Sequence, residues 1–79
     1  MFNDIVNYII HKVQTDSILS GFQLLINVTD IELRFGLSLD TDSIDCILDL
    51  LREKEEVADV VFYNGYFDVL LYTDYALNY

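Results

Sequence analysis

Proline does not occur in this chain, glycine occurs three times, and cysteine and histidine occur once each. With no proline and so little glycine, linkers and low-complexity segments are not expected. Cys46 is the lone cysteine, so an internal disulfide is excluded, in keeping with a reducing compartment. His11 is the only histidine, and a zinc site of the His/Cys kind would lack ligands. No glycine-rich phosphate loop is present. No apolar run is long enough to span a bilayer, and no basic segment precedes one, so we expect a cytoplasmic protein that does not meet the membrane. Basic residues are also scarce, with four Lys plus Arg against 14 Asp plus Glu and a formal charge of -10. That charge repels phosphate backbones and anionic membranes and favours basic surfaces.

Apolar residues are plentiful, at 53% of 79 residues. A disordered acidic tail would be poor in them, so the chain is expected to form one small domain with its own core. No internal repeat is visible. Phe2, Ile5, Val6, Ile9, Ile10 and Val13 recur at steps of three and four, which predicts an amphipathic helix over 2–14. Asn3 or Asp4 would serve its first turn, and Thr15-Asp16-Ser17 would end it. Ile18 and Leu19 fit either a short helix broken at Ser20-Gly21 or a buried loop. Phe22, Leu24 and Ile26 alternate with Gln23 and Leu25, which suits a short strand over 22–26.

Thr29 then makes an N-cap, with Glu32 three residues on as its capping-box partner, for a helix over 30–35. Gly36 stands where a left-handed C-cap is wanted. Asp40 or Thr41 caps a longer helix over 41–55, whose core stripe is Ile44, Ile47, Leu48 and Leu51, with Leu50 at its edge. Asn64-Gly65 between two β-rich runs is a strong hairpin signal, because a type I′ turn needs positive φ at both positions. Counting outward gives strands over 58–63 and 66–72, pairing Tyr63 with Tyr66, Phe62 with Phe67, Val61 with Asp68 and Val60 with Val69. Alternation places Val60, Phe62, Phe67, Val69 and Leu71 on the core face, and Asp59, Tyr63, Tyr66 and Asp68 on the other. The tail, 73–79, adds Tyr75 and Tyr79 around Asp74.

The element order (helix, short strand, short helix, turn, longer helix, hairpin) resembles a winged helix-turn-helix domain, and the resemblance covers nearly the whole chain. Thr29 to Ser38, TDIELRFGLS, is similar to the second helix and turn of that family, Asp42 to Glu55 to its recognition helix, and Val57 to Tyr72 to its wing. The expected fold is therefore α+β, a compact winged-helix-like domain of three helices and a small antiparallel sheet. The resemblance implies recognition through Thr41, Asp42, Ser43, Asp45, Cys46 and Asp49. A DNA reader needs donors and positive charge there and on the wing. Here the helix offers carboxylates and the wing offers Tyr63, Tyr66 and Asp68, so DNA binding is not expected to follow from the fold.

Asp42, Asp45, Asp49, Glu53 and Glu56 fall at steps of three or four, about 4.5 to 6 Å along a helix, the same order as neighbouring phosphates on one strand. Read functionally, this stripe imitates a nucleic-acid backbone. Read plainly, it is the solvated face of an acidic protein, with early acids and late Arg52 and Lys54 placed to suit the helix dipole. Tyr63 and Tyr66 suit a protein interface, or they simply stabilise a hairpin as a cross-strand pair. Asp40-x-Asp42-x-x-Asp45 is similar to a cation loop but lacks its glycine and closing glutamate. We expect no cofactor, no metal and no catalysis. In size and charge the chain resembles small phage and mobile-element inhibitors of restriction or CRISPR nucleases. That likeness implies a non-catalytic inhibitor that blocks a basic, nucleic-acid-binding defence protein such as a CRISPR effector. Asp42, Asp45, Asp49, Glu53, Glu56 and Asp68 would carry the charge, and Tyr63 and Tyr66 would anchor the contact. The alternative is a winged-helix transcriptional regulator or adaptor acting as a dimer. The exposed face of Tyr63, Tyr66, Val61 and Leu70 suits either a homodimer seam or a partner site.

Overall fold

The apolar stripe of the first segment folds as α1 (Phe2–Asp16), and it buries Ile5, Val6, Ile9, Ile10 and Val13 on one side. In the computed structural model, residues 2–16 and 23–72 are described. The readings of residues 17–22, the Tyr75 and Tyr79 tail, and Phe22 as a strand residue fall outside them. Five further elements follow: β1 (Gln23–Asn27), α2 (Val28–Phe35), α3 (Thr41–Arg52), β2 (Val57–Tyr63) and β3 (Tyr66–Leu71). The architecture is α+β, as the periodicities require.

α1 runs two residues beyond its expected end. Lys12 Nζ donates to Asp16 Oδ2 at 2.8 Å, and the Thr15 hydroxyl donates to the Lys12 carbonyl at 3.3 Å. Thr15 and Asp16, two of the residues read as a terminator, thus belong to the last helical turn, with the lysine offsetting an acid at the negative end of the helix.

α2 starts earlier than expected because β1 leads into it without a loop. Its N-cap is Asn27, in extended conformation, whose Oδ1 accepts from Thr29 N at 2.9 Å. Thr29 is therefore not the cap, and no capping box forms with Glu32. The Glu32 carboxylate instead accepts from Leu39 N at 2.8 Å and pins the turn between α2 and α3. Gly36 is the expected left-handed C-cap, at φ 66°, and its N–H donates to the Glu32 carbonyl.

Asp40 caps α3, its Oδ1 accepting from Ser43 N at 2.8 Å. The helix stops at Arg52 rather than at residue 55. Glu53 N–H is shared between the Asp49 and Leu51 carbonyls, and Lys54 N reaches back only three residues to Leu51 at 3.1 Å. Glu53, Glu55 and Glu56 would have loaded negative charge onto the negative end of a longer helix, so the chain tightens and turns into β2.

The sheet is antiparallel with strand order β1-β3-β2, which puts the last strand in the middle. Asn64 and Gly65 carry φ 53° and 81°, the two positive values that a type I′ turn needs. The pairs Tyr63–Tyr66, Phe62–Phe67, Val61–Asp68 and Val60–Val69 form as the turn dictates. Further out, Val57 pairs with Leu71 and Asp59 with Leu70, so Ala58 is the extra residue of a β-bulge. The bulge lets Val57 and Val60, three apart, both face inward. β1 pairs along the other edge of β3, setting Leu24 against Val69, Leu25 against Asp68 and Ile26 against Phe67.

α1 and α3 cover one face of this sheet, and a single core joins Ile5, Ile9, Val13, Ile31, Ile47 and Leu51 to Ile26, Val60, Phe67, Val69 and Leu71. Phe67, fully buried, meets the ring of Phe62 at 4.8 Å between centroids. Truncating it should cost about 3–5 kcal/mol, against under about 1 kcal/mol for Tyr66→Ala on the open face next in sequence. Asn27→Ala, which removes the cap, should cost about 1 kcal/mol while Asn27→Ser retains most of the stability. Urea unfolding of the four variants measures all of this.

Candidate functional site

Helix periodicity turns Ile47, Leu48 and Leu51 inward, which leaves Asp42, Asp45, Cys46 and Asp49 exposed on the opposite side of α3. From Asp42 to Asp49 the row is about 10 Å long at 1.5 Å per residue. Its continuation is not helical. Glu53 is the exposed C-cap, and Glu56 lies half-buried in the following turn, its carbonyl accepting from Tyr72 N at 3.0 Å. The five-acid stripe is thus three residues on a helix and two in a turn.

These carboxylates differ in what they already do. Asp49 meets Arg52 at 3.6 Å, an exposed pair worth little in water. Asp40, next to the row, is a capping group. Among the described residues Asp42 and Asp45 make no side-chain hydrogen bond or salt bridge. Three of the four basic side chains are committed elsewhere. Lys12 holds Asp16, Arg34 stacks on the Tyr8 ring at 4.8 Å, and Arg52 also donates to the Val60 carbonyl at 3.4 Å. Tyr8 in turn meets Phe35 edge-on at 5.6 Å. The acidity of α3 is therefore uncompensated at Asp42 and Asp45, while Asp49 keeps its exposed pair with Arg52.

Tyr63, Tyr66 and Asp68 lie elsewhere. α3 packs on the inner face of the sheet, whereas these three point from its outer face, so the predicted site residues form two surfaces on opposite sides of the domain. On the outer face Tyr63 and Tyr66 pair directly across the hairpin. Asp68, in the central strand, sits between Leu25 of β1 and Val61 of β2. Gln23 Nε2 donates to Asp68 Oδ1 at 2.7 Å. Leu25 is 52% exposed, Tyr63 49%, Val61 43%, Tyr66 38% and Leu70 37%. A shallow depression of about 490 Å³ is lined by Gln23, Leu24, Leu25, Tyr63 and Asp68. The sequence reading missed Gln23 and Leu25. Alternation within 23–27 marks Leu25 as outward-facing, but nothing local says which strand it lies beside.

A second hollow, of about 360 Å³, lies between α2 and its following turn and is lined by Thr29, Glu32, Leu33, Gly36, Leu37 and Ser38. Its one carboxylate, Glu32, is spent on Leu39 N. Among the described residues no group of three or more His, Cys, Asp and Glu is arranged to hold a metal, and no helix is long and apolar enough to cross a membrane. Asp40 of the cation-loop-like stretch is turned to its cap. Comparison with protein-family models, with curated proteins and with solved structures gives no match.

The Asp40 carboxyl is held below its ordinary value by the Ser43 backbone N–H, with the Ser43 hydroxyl adding to it. A depressed carboxylate contributes stability that is complete above the ordinary 3.8 and lost as pH falls through the lower folded value. Asp40→Ala should therefore be less stable than wild type at pH 7, with the gap closing below pH 3.8. Thermal melts between pH 7 and pH 2.5 follow that closure.

Proposed function

We propose that the chain acts without catalysis, by laying the carboxylate row of α3 against a Lys- and Arg-lined site of a nucleic-acid-binding protein and so competing with the nucleic acid. The observation that carries this is the unpaired, exposed state of Asp42 and Asp45, continued by Asp49, at the helix where a winged helix-turn-helix domain would present donors to DNA. A carboxylate without an internal partner keeps its charge available to another molecule, whereas Asp16, Glu32 and Asp40 are already used in the fold. A net charge of -10 adds long-range attraction to any basic groove and excludes the phosphate backbone itself. The likeness in size and charge to small phage and mobile-element inhibitors makes a host restriction or CRISPR nuclease the class of partner this reading favours.

Reversing Asp45 and Asp49 together to Lys keeps the helix and inverts the row. Immobilised wild-type chain should retain nucleic-acid-binding proteins from a host lysate, release them to added duplex DNA, and release them steeply as salt rises. The double reversal should weaken retention about tenfold or more. Cys46 lies on the same face, so a partner seated there should also slow its alkylation by a thiol reagent. Retention unaffected by the reversal, or retardation of DNA by the chain alone in a gel, refutes the proposal. The second outcome would favour a winged-helix regulator.

A further inference from the structure

We infer that the outer face of the sheet is a second docking surface, for a protein segment that inserts an arginine between apolar side chains. This does not rest on the reading of α3, which faces the other way. Five large side chains, Leu25, Val61, Tyr63, Tyr66 and Leu70, stand exposed together on three adjacent strands. Such a contiguous apolar patch on a small domain marks a surface that meets another molecule. A carboxylate sits in its middle. Asp68 is flanked by Leu25 and Val61, and one of its oxygens is held by Gln23, which fixes the rotamer and leaves the other oxygen open.

Charge decides the occupant. The outer face carries Asp59 and Asp68 and, among the described residues, no Lys, Arg or His. A second copy seated face to face would bring these carboxylates together and strip them of water with no cation to pair them. A wholly apolar partner would leave Asp68 buried and unpaired, at the same kind of penalty. A cation surrounded by apolar groups satisfies both parts of the surface. A guanidinium suits it better than an ammonium, because it is less strongly hydrated and stacks on aromatic rings, and Tyr63 borders the same depression as Asp68. The chain already makes such a contact internally, with Arg34 over Tyr8.

The test uses an end-blocked pentapeptide with one arginine between two pairs of leucines, and its counterpart in which neutral citrulline replaces the arginine. Each is titrated into the 79-residue chain while amide shifts are followed by NMR. The expected result is shifts at Leu25, Val61, Tyr63 and Asp68, with the arginine peptide bound about tenfold more tightly than the citrulline one. Asp68→Asn keeps the side-chain shape and should erase that preference, its fold checked by circular dichroism. Asp45→Lys with Asp49→Lys should leave the preference in place, which separates this surface from α3. Equal affinity for the two peptides, absence of shifts on the outer face, or shifts confined to α3 would overturn the inference. So would sedimentation equilibrium at neutral pH showing a dimer that Asp68→Asn tightens.

Discussion

β3 is the strand on which the domain depends, because among the described strands it alone has a partner on both edges, and its buried side chains belong to the core shared with α1 and α3. Phe67, Val69 and Leu71 project inward from it to the layer formed by α1 and α3. The same strand carries Tyr66, Asp68 and Leu70 outward. Among the described residues one face of the sheet is covered, by α1 and α3, so the period-two alternation of a single strand separates core from surface. A slip of one residue would bury Asp68 and expose Phe67, which is why the turn at Asn64-Gly65 matters beyond its own two residues.

Several side chains that look like functional acids are part of this scaffold. Glu32 ties the turn ahead of α3, Asp40 begins that helix, Asp16 closes the last turn of α1, and Asp59 accepts from its neighbour Val60 N beside the bulge. Setting these aside, together with Asp49 and its Arg52 pair, leaves Asp42 and Asp45 as the carboxylates of α3 with no structural task among the described residues. That subtraction supports the proposed binding role more firmly than the total charge does, since total charge describes solubility and steering and not a site.

The two exposed surfaces also differ in character. The α3 row is charge without apolar area, suited to fast, salt-sensitive attraction. The outer sheet face is apolar area around one held carboxylate, suited to a shorter-range, more selective contact. Lying on opposite sides of one thin domain, they would let it touch two basic partners, or two parts of one that wraps around it.

Local patterns in the sequence determined most of the elements. The three-four spacing of α1, the core stripe of α3, Gly36 as a C-cap and the register of the hairpin all rest on interactions within a few residues, so they are legible without a fold. What escaped were the places where distant segments compete. Asn27 became the cap of α2 in place of Thr29 because β1 runs directly into that helix, and Glu32 turned to Leu39. The end of α3 moved to Arg52 because a tight turn had to deliver Val57 to β2. The division of the predicted site into two surfaces was decided only by tertiary structure. Pairing of β1 with β3 is a contact across about forty residues, and it alone assembles Leu25, Gln23 and Asp68 on one face while α3 closes the other. Side-chain periodicity says which residues point away from their own element; which of them end up together depends on how the layers pack.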